Sequence, residues 1–471
     1  MLILRAEVDG RGPVDVRIER GRIASIAEAL EPRGGEHVLD AAGGALLPGL
    51  HDHHLHLLAL AAAERSVRCG PPEVRTQSAL VAALRTAAAA TEAGRIVRGV
   101  GYHESVAGAL DRDVLDRWLP GRAVQIQHRS GALWIVSGAL VETLGLDRGA
   151  DAPGVERFPS GRATGRLFRL DAWLRERVPD AGARPELASV SRLLASRGVT
   201  GVTDATPTNG RVELDWFERA AATGALLQRV TLMGSRSLPH PTRAELTRGA
   251  LKVLLDESDL ADLGELVATI ARAHVEGRSV AIHAVTRAEL VFAAAAFREA
   301  GASSGDRIEH AAVAPPELAA LVAELGLTVV TQPNFVRERG DAYRVDVAES
   351  ERPWLYRCRG WDEAKVPLGG GTDAPFGEPD PWLAMQAAVD RRTEDGHVVG
   401  AREALTPERA LALFTTAPEA PGGAPRALVP GAAADLCLLD RPWRRARDEL
   451  SRGLVAATFV AGRCAWRRDE Q

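Results

Sequence analysis

The chain has 471 residues, a formal charge of −5, and 46% hydrophobic and 26% charged residues, which suits a globular protein built on one large barrel with attachments. A slightly acidic balance argues against non-specific nucleic-acid binding, and no apolar run reaches the roughly 20 residues of a membrane span. The first residues carry no signal-peptide core and the four cysteines form no CxxC pair, so we predict a cytoplasmic protein with reduced thiols.

Both ends of the chain are predicted to form strands. Val14–Ile18 alternates apolar and polar residues, Ile23–Ile26 is mostly apolar, and Leu436–Leu439 is an apolar run near the other end. We therefore predict one composite β-sandwich domain assembled from residues 1–45 and 423–471. Two unrelated terminal hairpins are the alternative.

The middle of the chain alternates short apolar strands with helices rich in alanine and leucine. Eight repeats of this kind predict an α/β fold of the (β/α)8 TIM-barrel type over residues 46–422. A long insertion, at about residues 58–197, is expected after barrel strand one, because this stretch holds no barrel strand. The candidate barrel strands are Ala45–Leu50, Val199–Asp204, Gln228–Met233, Leu251–Asp256, Val280–Val285, Arg307–Ala311, Thr328–Gln332 and Val366–Thr372.

Histidines are concentrated just after the first candidate strand, in the run His51-Asp52-His53-His54-Leu55-His56. On an extended strand His54 and His56 point to one face, where two imidazoles can bind one metal ion. His51 and His53 have the opposite parity and are expected to pack outward. An isolated HxH motif is a weak signal, but this one lies at the end of a candidate barrel strand, where the active sites of such barrels are found.

Other metal-binding residue types recur at the spacing of barrel strands. His283 and His310 end candidate strands five and six and are 27 residues apart, and Asp373 follows strand eight, 63 residues after His310. Lys252, on strand four, precedes His283 by 31 residues. One strand–helix unit of such a barrel takes about 31 residues, so these four positions keep the barrel register. The other lysine of the chain, Lys365, lies outside that register.

This constellation resembles the metal-dependent amidohydrolase superfamily. The resemblance rests on Pro48–His56, on Lys252, His283 and His310, and on Gly371–Pro375. The chain is most similar to the branch that contains N-substituted formamide deformylase, which has a long insertion after strand one. The matching segments of the insertion are Gly99–Glu104, Arg129–Ser137 and Ala163–Leu167.

The resemblance implies roles for these residues. His54 and His56 would bind one metal together with Asp373, His283 and His310 would bind a second, and Lys252 would bridge the two as a carboxylated lysine. Two zinc ions are expected, with iron or manganese as alternatives. The implied reaction is hydrolysis of a non-peptide C–N bond in an amide, N-acyl amine, formamide, carbamate or cyclic amide by metal-bound hydroxide, with Asp373 as general base and then general acid.

Elementary chemistry agrees with the role implied for Lys252. An apolar strand desolvates the amine and lowers its pKa, and a neutral amine can add CO₂ to form a carbamate. Arginine keeps its proton and cannot react in this way. A lysine that extends from the strand edge toward water is the alternative.

Further residues are candidates for substrate binding, five in the insertion and two just after strand seven. We expect a small-molecule substrate and a homo-oligomer, without nucleic-acid or membrane partners. The candidates are His103, Glu104, His128, Arg129, Trp134, Asn334 and Arg337.

Two other functions remain open at this stage. A mononuclear aminohydrolase of the deaminase type usually carries Glu three residues after the strand-five histidine, where this chain has Thr286. A metal-free scaffold of the same fold would be expected to lack some ligand positions, and none is missing here.

Overall fold

The computed structural model describes residues 1–149, 152–178 and 185–470. Contacts divide the chain into two compact units, one formed by Met1–Leu57 with Leu187–Gln471 and the other by Leu58–Glu186. No helix among the described residues is both long and apolar enough to cross a membrane.

The strands in chain order are β1 Leu2–Val8, β2 Arg11–Glu19, β3 Arg22–Ala27, β4 Val38–Asp40, β5 Ala45–Pro48, β6 Leu50–Leu55, β7 Val67–Arg68, β8 Val97–Tyr102, β9 Val124–His128, β10 Leu133–Val136, β11 Val155–Arg157, β12 Ala163–Phe168, β13 Val199–Asp204, β14 Arg229–Gly234, β15 Leu246–Leu254, β16 Val280–Ala284, β17 Arg307–His310, β18 Thr328–Thr331, β19 Leu368–Gly370, β20 Leu436–Leu439, β21 Val455–Val460 and β22 Arg463–Arg467.

The α-helices in chain order are α1 Leu57–Glu64, α2 Gln77–Ala90, α3 Glu104–Ala107, α4 Arg112–Trp118, α5 Gly138–Thr143, α6 Asp171–Arg177, α7 Leu187–Ser196, α8 Arg211–Ala222, α9 Leu263–Val275, α10 Arg287–Ala300, α11 Pro316–Glu324, α12 Asn334–Asp346, α13 Arg359–Glu363, α14 Pro381–Asp390, α15 Pro407–Thr415 and α16 Trp443–Ala446.

The larger unit contains the predicted barrel. Its eight parallel strands follow the order β6, β13, β14, β15, β16, β17, β18 and β19. Two backbone hydrogen bonds join the first strand to the segment after the last: Asp373 N donates to His54 O at 2.8 Å, and His56 N donates to Ala374 O at 2.8 Å. These bonds bring the two ends of the sheet together, and the (β/α)8 prediction is confirmed.

The first barrel strand is not where the sequence pattern placed it. Residues Ala45–Pro48 pair with β1 and β20 in the terminal sheet, and the barrel strand is Leu50–Leu55. The prediction of a barrel strand over Ala45–Leu50 was therefore wrong by about one strand length. Hydropathy favoured the apolar run, whereas the true strand carries four polar residues that the fold buries completely.

The two chain ends form one mixed sheet, in which β1–β5 join β20–β22 through antiparallel pairing of β5 with β20. Alternate residues of the strands from both ends, such as Val16, Leu46 and Leu436, lie in one apolar core. Because β5 ends at Pro48 and the first barrel strand begins at Leu50, this sheet continues directly into the barrel.

The second unit contains a six-stranded sheet in the order β11, β12, β10, β9, β8, β7. Its two faces have separate apolar cores, with Ile126 and Ile135 on one face and Trp134 and Val136 on the other. Helix α7, which the sequence analysis placed at the end of the insertion, belongs to the barrel unit.

Candidate active site

The histidine run and the aspartate after strand eight meet at the C-terminal end of the barrel. The nearest atoms are His54 Nε2 and Asp373 Oδ1 at 3.4 Å, and His56 Nε2 and Asp373 Oδ1 at 3.2 Å. The ligating atoms of these three residues all lie within 4.8 Å of one another, a spacing that fits a single metal ion. The backbone of Asp373 has a φ of +56°, a conformation that costs energy and that is common in functional sites.

Buried contacts between the first strand and the last fix this geometry. Asp52 accepts hydrogen bonds from Thr372 Oγ1 at 2.6 Å, from Thr372 N at 3.1 Å and from His54 N at 3.1 Å. Burial raises the pKa of Asp52 to about 7, against the effect of these bonds. Gly371 packs against the backbone of His54 so closely that an added Cβ would lie 2.5 Å from His54 Cβ.

Three of the predicted ligand histidines have a partner at Nδ1. His56 Nδ1 contacts Thr206 Oγ1 at 2.9 Å, and His310 Nδ1 contacts Gln332 Oε1 at 2.7 Å. His54 Nδ1 contacts a carboxylate oxygen of Glu309. Because Gln332 and Glu309 accept at these atoms, the protons of His310 and His54 lie on Nδ1, and Nε2 keeps the lone pair that a metal requires.

Glu309 is a residue of the candidate site that the sequence analysis missed. It is fully buried and contacts both His54 Nδ1 and Arg307 Nε. Burial favours the neutral acid, but the charges of Arg307, Lys252 and His54 outweigh it, and the pKa of Glu309 is lowered overall. The only sequence signal was its position one residue before His310, on the same predicted barrel strand.

The imidazoles of strands five and six lie beside this group. The ring centroids of His283 and His310 are 4.4 Å apart, and those of His54 and His310 are 4.8 Å apart. Burial lowers the pKa of His283 to about 3 and that of His310 well below its usual value, in each case with help from neighbouring positive charges. Both rings are therefore neutral at physiological pH, which is the form that binds metals.

Lys252 lies among these residues on the fourth barrel strand. Its side chain is buried, and Nζ has no hydrogen-bond partner among the described residues. Burial lowers its pKa to about 8, with a further lowering by Arg307, while Glu309 and Asp373 act in the opposite direction. Burying an amine without a hydrogen-bond partner destabilises the folded chain. This indicates that Nζ interacts with a group that the polypeptide itself does not supply.

The two histidines outside the predicted ligand set lie on the outer side of the first strand. His51 Nε2 contacts Thr203 Oγ1 at 2.9 Å, and His53 Nε2 contacts Thr416 Oγ1 at 2.9 Å. Both rings are buried, so their outward direction takes them into the layer around the barrel rather than into solvent.

Asn334 and Arg337, predicted after strand seven, lie on helix α12. Asn334 Nδ2 donates to Thr372 O at 3.0 Å and to Glu338 Oε1 at 3.1 Å, so its amide holds the segment that carries Asp373. Arg337 is half-buried, and its carbonyl oxygen accepts a hydrogen bond from Glu394 N.

Three candidates from the insertion form a cluster within the second unit. His128 Nε2 lies 3.0 Å from Glu104 Oε2, and the ring centroids of His103 and His128 are 5.9 Å apart. Each imidazole contacts the serine two residues later, since Ser105 N donates to His103 Nδ1 and Ser130 N donates to His128 Nδ1. A backbone N–H is an obligatory donor, so these Nδ1 atoms act as acceptors and the neutral rings carry their protons on Nε2.

The other two insertion candidates occupy different environments. Trp134 is 4% exposed, donates from Nε1 to Asp171 Oδ1 at 2.8 Å, and has the Arg98 guanidinium 5.1 Å from its ring centroid. Arg129 follows strand β9, and its backbone N donates to Tyr102 O. Trp134 thus packs inside the second unit.

Comparisons with known proteins agree with this geometry. Residues 37–465 match the model of the amidohydrolase family. The chain is 26% identical to N-substituted formamide deformylase from Arthrobacter pascens, over 95% of this chain and 94% of that protein. An uncharacterised metal-dependent hydrolase from Pyrococcus furiosus has a TM-score of 0.72 at 22% identity, covering 93% of this chain and 98% of that chain.

A zinc-containing structure has the same fold. Atrazine chlorohydrolase from Arthrobacter aurescens, complexed with zinc, has a TM-score of 0.55 at 16% identity and covers 98% of this chain and 94% of that chain. The family match, which spans nearly the whole chain, confirms the prediction of an enzyme that acts on carbon–nitrogen bonds other than peptide bonds. The chain belongs to the amidohydrolase family.

Proposed function

We propose that this amidohydrolase uses two divalent metal ions, with zinc as the expected metal, to hydrolyse the C–N bond of an amide, N-acyl amine, formamide, carbamate or cyclic amide. The observation that carries the proposal is the convergence of His54, His56 and Asp373 beside the buried amine of Lys252. The similarity to N-substituted formamide deformylase supports this choice of bond, and the similarity to the zinc-containing chlorohydrolase supports this choice of metal.

The donor set fits the proposed metals. His54, His56 and Asp373 would hold one ion, and His283 with His310 would hold the other. The Nδ1 contacts of His54 and His310 leave Nε2 available in both rings. Zinc, iron and manganese all accept imidazole and carboxylate ligands.

Lys252 fits the role of a bridge after it has reacted with CO₂. The neutral amine attacks the carbon of CO₂, the new N–C bond forms, and one proton leaves, which converts Nζ into a carbamate with carboxylate-like oxygens. A pKa of about 8 makes roughly one amine in ten neutral at pH 7 before any metal binds. The negative carbamate would also remove the unpaired buried cation.

The side chains around the metals have their own roles in the proposed reaction. When bound, divalent ions of this kind make water nucleophilic at neutral pH and polarise the carbonyl group of the substrate. Burial acts to raise the pKa of Asp373, but the hydrogen bond with His56 and the charges of His54 and Arg339 outweigh it and lower the pKa. Asp373 is therefore ionised, so its carboxylate can accept a proton from the attacking water and pass it to the leaving nitrogen.

A mononuclear deaminase-type reaction fits this chain less well. Thr286, three residues after His283, is the N-cap of α10 and accepts a hydrogen bond from Glu289 N at 3.2 Å. A threonine hydroxyl engaged in a helix cap does not supply the acid–base group that a glutamate would supply at this position.

Metal analysis of the purified protein, together with a hydrolysis screen, tests the proposal. The screen covers formamides, N-acyl amines, carbamates and lactams and detects the released amine. We expect about two ions per chain, and we expect His56→Gln to lose metal and turnover while the exposed control His37→Gln keeps both. One ion per chain would favour the mononuclear reaction, and a protein that binds no metal and hydrolyses nothing would refute the proposal.

A further inference from the structure

Arg339 places a positive charge at the C-terminal end of the barrel without a carboxylate partner. Its Nη2 donates to Phe376 O at 2.5 Å, and its guanidinium lies 3.9 Å from the ring centroid of Phe335. Among the described residues no carboxylate oxygen lies within 4.0 Å of this guanidinium, although the side chain is only partly exposed. The other N–H groups of Arg339 are therefore available for a ligand.

Two buried arginines of the barrel unit have several hydrogen-bond partners each. Arg391 donates to the carbonyl oxygens of Val399, Tyr356 and Leu355. Arg307 pairs with Glu309 and also donates to His53 O. Arginine is usually buried only when paired, and the partly buried Arg339 has a single carbonyl partner by comparison.

Two tyrosine hydroxyls accompany this guanidinium. Phe335, Arg339 and Tyr343 are spaced four residues apart on α12 and therefore share one face of the helix. The ring of Tyr356 packs on Phe335 at 5.5 Å, and its hydroxyl lies 3.4 Å from the hydroxyl of Tyr343. The chain has only three tyrosines, and two of them meet here.

This cluster lies next to the candidate metal residues. Phe376 accepts a hydrogen bond from Arg339 through its backbone carbonyl, and its ring centroid is 5.5 Å from that of His56. Its backbone N donates to Asp373 O at 2.8 Å. Val285, just after strand five, packs in the same apolar cluster.

We propose that Arg339, assisted by the hydroxyls of Tyr343 and Tyr356, binds a carboxylate of the substrate close to the bond that is cleaved. This inference rests on the proposed function and narrows it to C–N substrates that carry a carboxylate. A guanidinium offers two parallel N–H donors that match the two oxygens of a carboxylate, and phenol hydroxyls can donate to the same group. The apolar faces of Phe335 and Phe376 strengthen the interaction by excluding water.

The test compares pairs of compounds that differ only in this charge. N-Acetyl amino acids and N-alkyl succinamates carry the carboxylate on the amine side and the acyl side of the amide, and their primary amides are the neutral controls. In one of the two pairs the carboxylate will reach Arg339. For that pair we expect the wild-type kcat/KM of the acid to exceed that of the amide by about 10- to 100-fold, mainly through a lower KM. Arg339→Met should remove this preference, and Arg339→Lys should restore part of it.

The ratio within each pair separates recognition from a structural effect. If Arg339 only held the Phe376 segment in place, Arg339→Met would lower turnover of the acid and the amide alike, and the inference would be wrong. Arg344→Met, an exposed position on the same helix, should behave like wild type.

Titration calorimetry measures the affinity of the metal-loaded protein for the same acids, and this measurement does not depend on turnover. We expect about 10-fold weaker binding to Arg339→Met than to wild type or Arg344→Met. Equal binding to all three proteins would overturn the inference. If this binding difference is intact but neither these compounds nor the formamides, N-acyl amines, carbamates and lactams of the screen are hydrolysed, the proposed function is refuted and carboxylate recognition stands.

Discussion

Replacing Lys252 with methionine should have opposite effects on the metal-free and the metal-loaded protein. Methionine keeps a similar volume but carries no amine. In the metal-free protein, burial moves the pKa of Lys252 from 10.5 to about 8. A shift of this size corresponds to about 3 kcal/mol of lost folding free energy when both the folded and the unfolded state are protonated, at about 1.4 kcal/mol per pKa unit.

The sign of the pH dependence follows from proton binding. Between pH 8 and 10.5 the unfolded chain holds the proton of Lys252 and the folded chain does not, so wild-type stability rises with pH. We expect Lys252→Met to be more stable than wild type by about 3 kcal/mol at pH 7 and by about half as much at pH 9.5. Urea unfolding of the metal-stripped proteins at the two pH values measures this difference.

The metal-loaded protein should respond in the other direction. Without a bridging carbamate, Lys252→Met should lose at least one ion per chain and nearly all turnover. Lys365→Met, at an exposed position, is the matched control and should resemble wild type in every assay. A stability difference that is the same at both pH values would refute a desolvated amine, and full metal content with full rate would refute the bridging role.

Three further substitutions test the surrounding geometry. Asp373→Asn should keep the fold by circular dichroism but lower kcat by at least about 100-fold, because the amide cannot accept the proton; near-normal turnover would remove Asp373 from the mechanism. Glu309→Gln should weaken metal binding by about 10- to 100-fold through loss of its charged contact with His54, measured by competition with a chelator, and unchanged affinity would contradict the orienting role. Gly371→Ala should displace His54 and lower metal content, since the new Cβ would lie 2.5 Å from His54 Cβ, whereas Gly34→Ala, which has open space, should have no effect; equal metal content in both would count against the packing argument.

Sequence spacing was sufficient for the barrel and for the strand positions of His283 and His310. His283 and His310 occupy strands five and six as their spacing predicted, because a strand and its helix use a nearly fixed length of chain. The pattern failed at the first strand, since Leu50–Leu55 is polar in sequence and yet entirely buried. Hydropathy does not recognise polar residues that are satisfied by partners elsewhere in the fold.

The residues that surround the candidate metal centre are brought there by contacts between segments that are far apart in sequence. Glu309 reaches His54 across 255 positions of the chain, and Asp52 reaches Thr372 across 320. Tyr356 meets Phe335 only because the segment after α12 returns to that helix. No local motif records such pairs, because a single buried glutamate or tyrosine has the same sequence signature whatever it contacts.

By itself the sequence determined the fold class, the positions of the barrel strands after the first and the side chains available to bind metal, because strand–helix periodicity and residue chemistry are local properties. Only the tertiary structure decided that strand one begins at Leu50, that Glu309 orients His54, and that Arg339 lacks a carboxylate partner beside the site. These features follow from which surfaces are packed together and deprived of water, and burial determines both the pKa of Lys252 and the need of Arg339 for a partner.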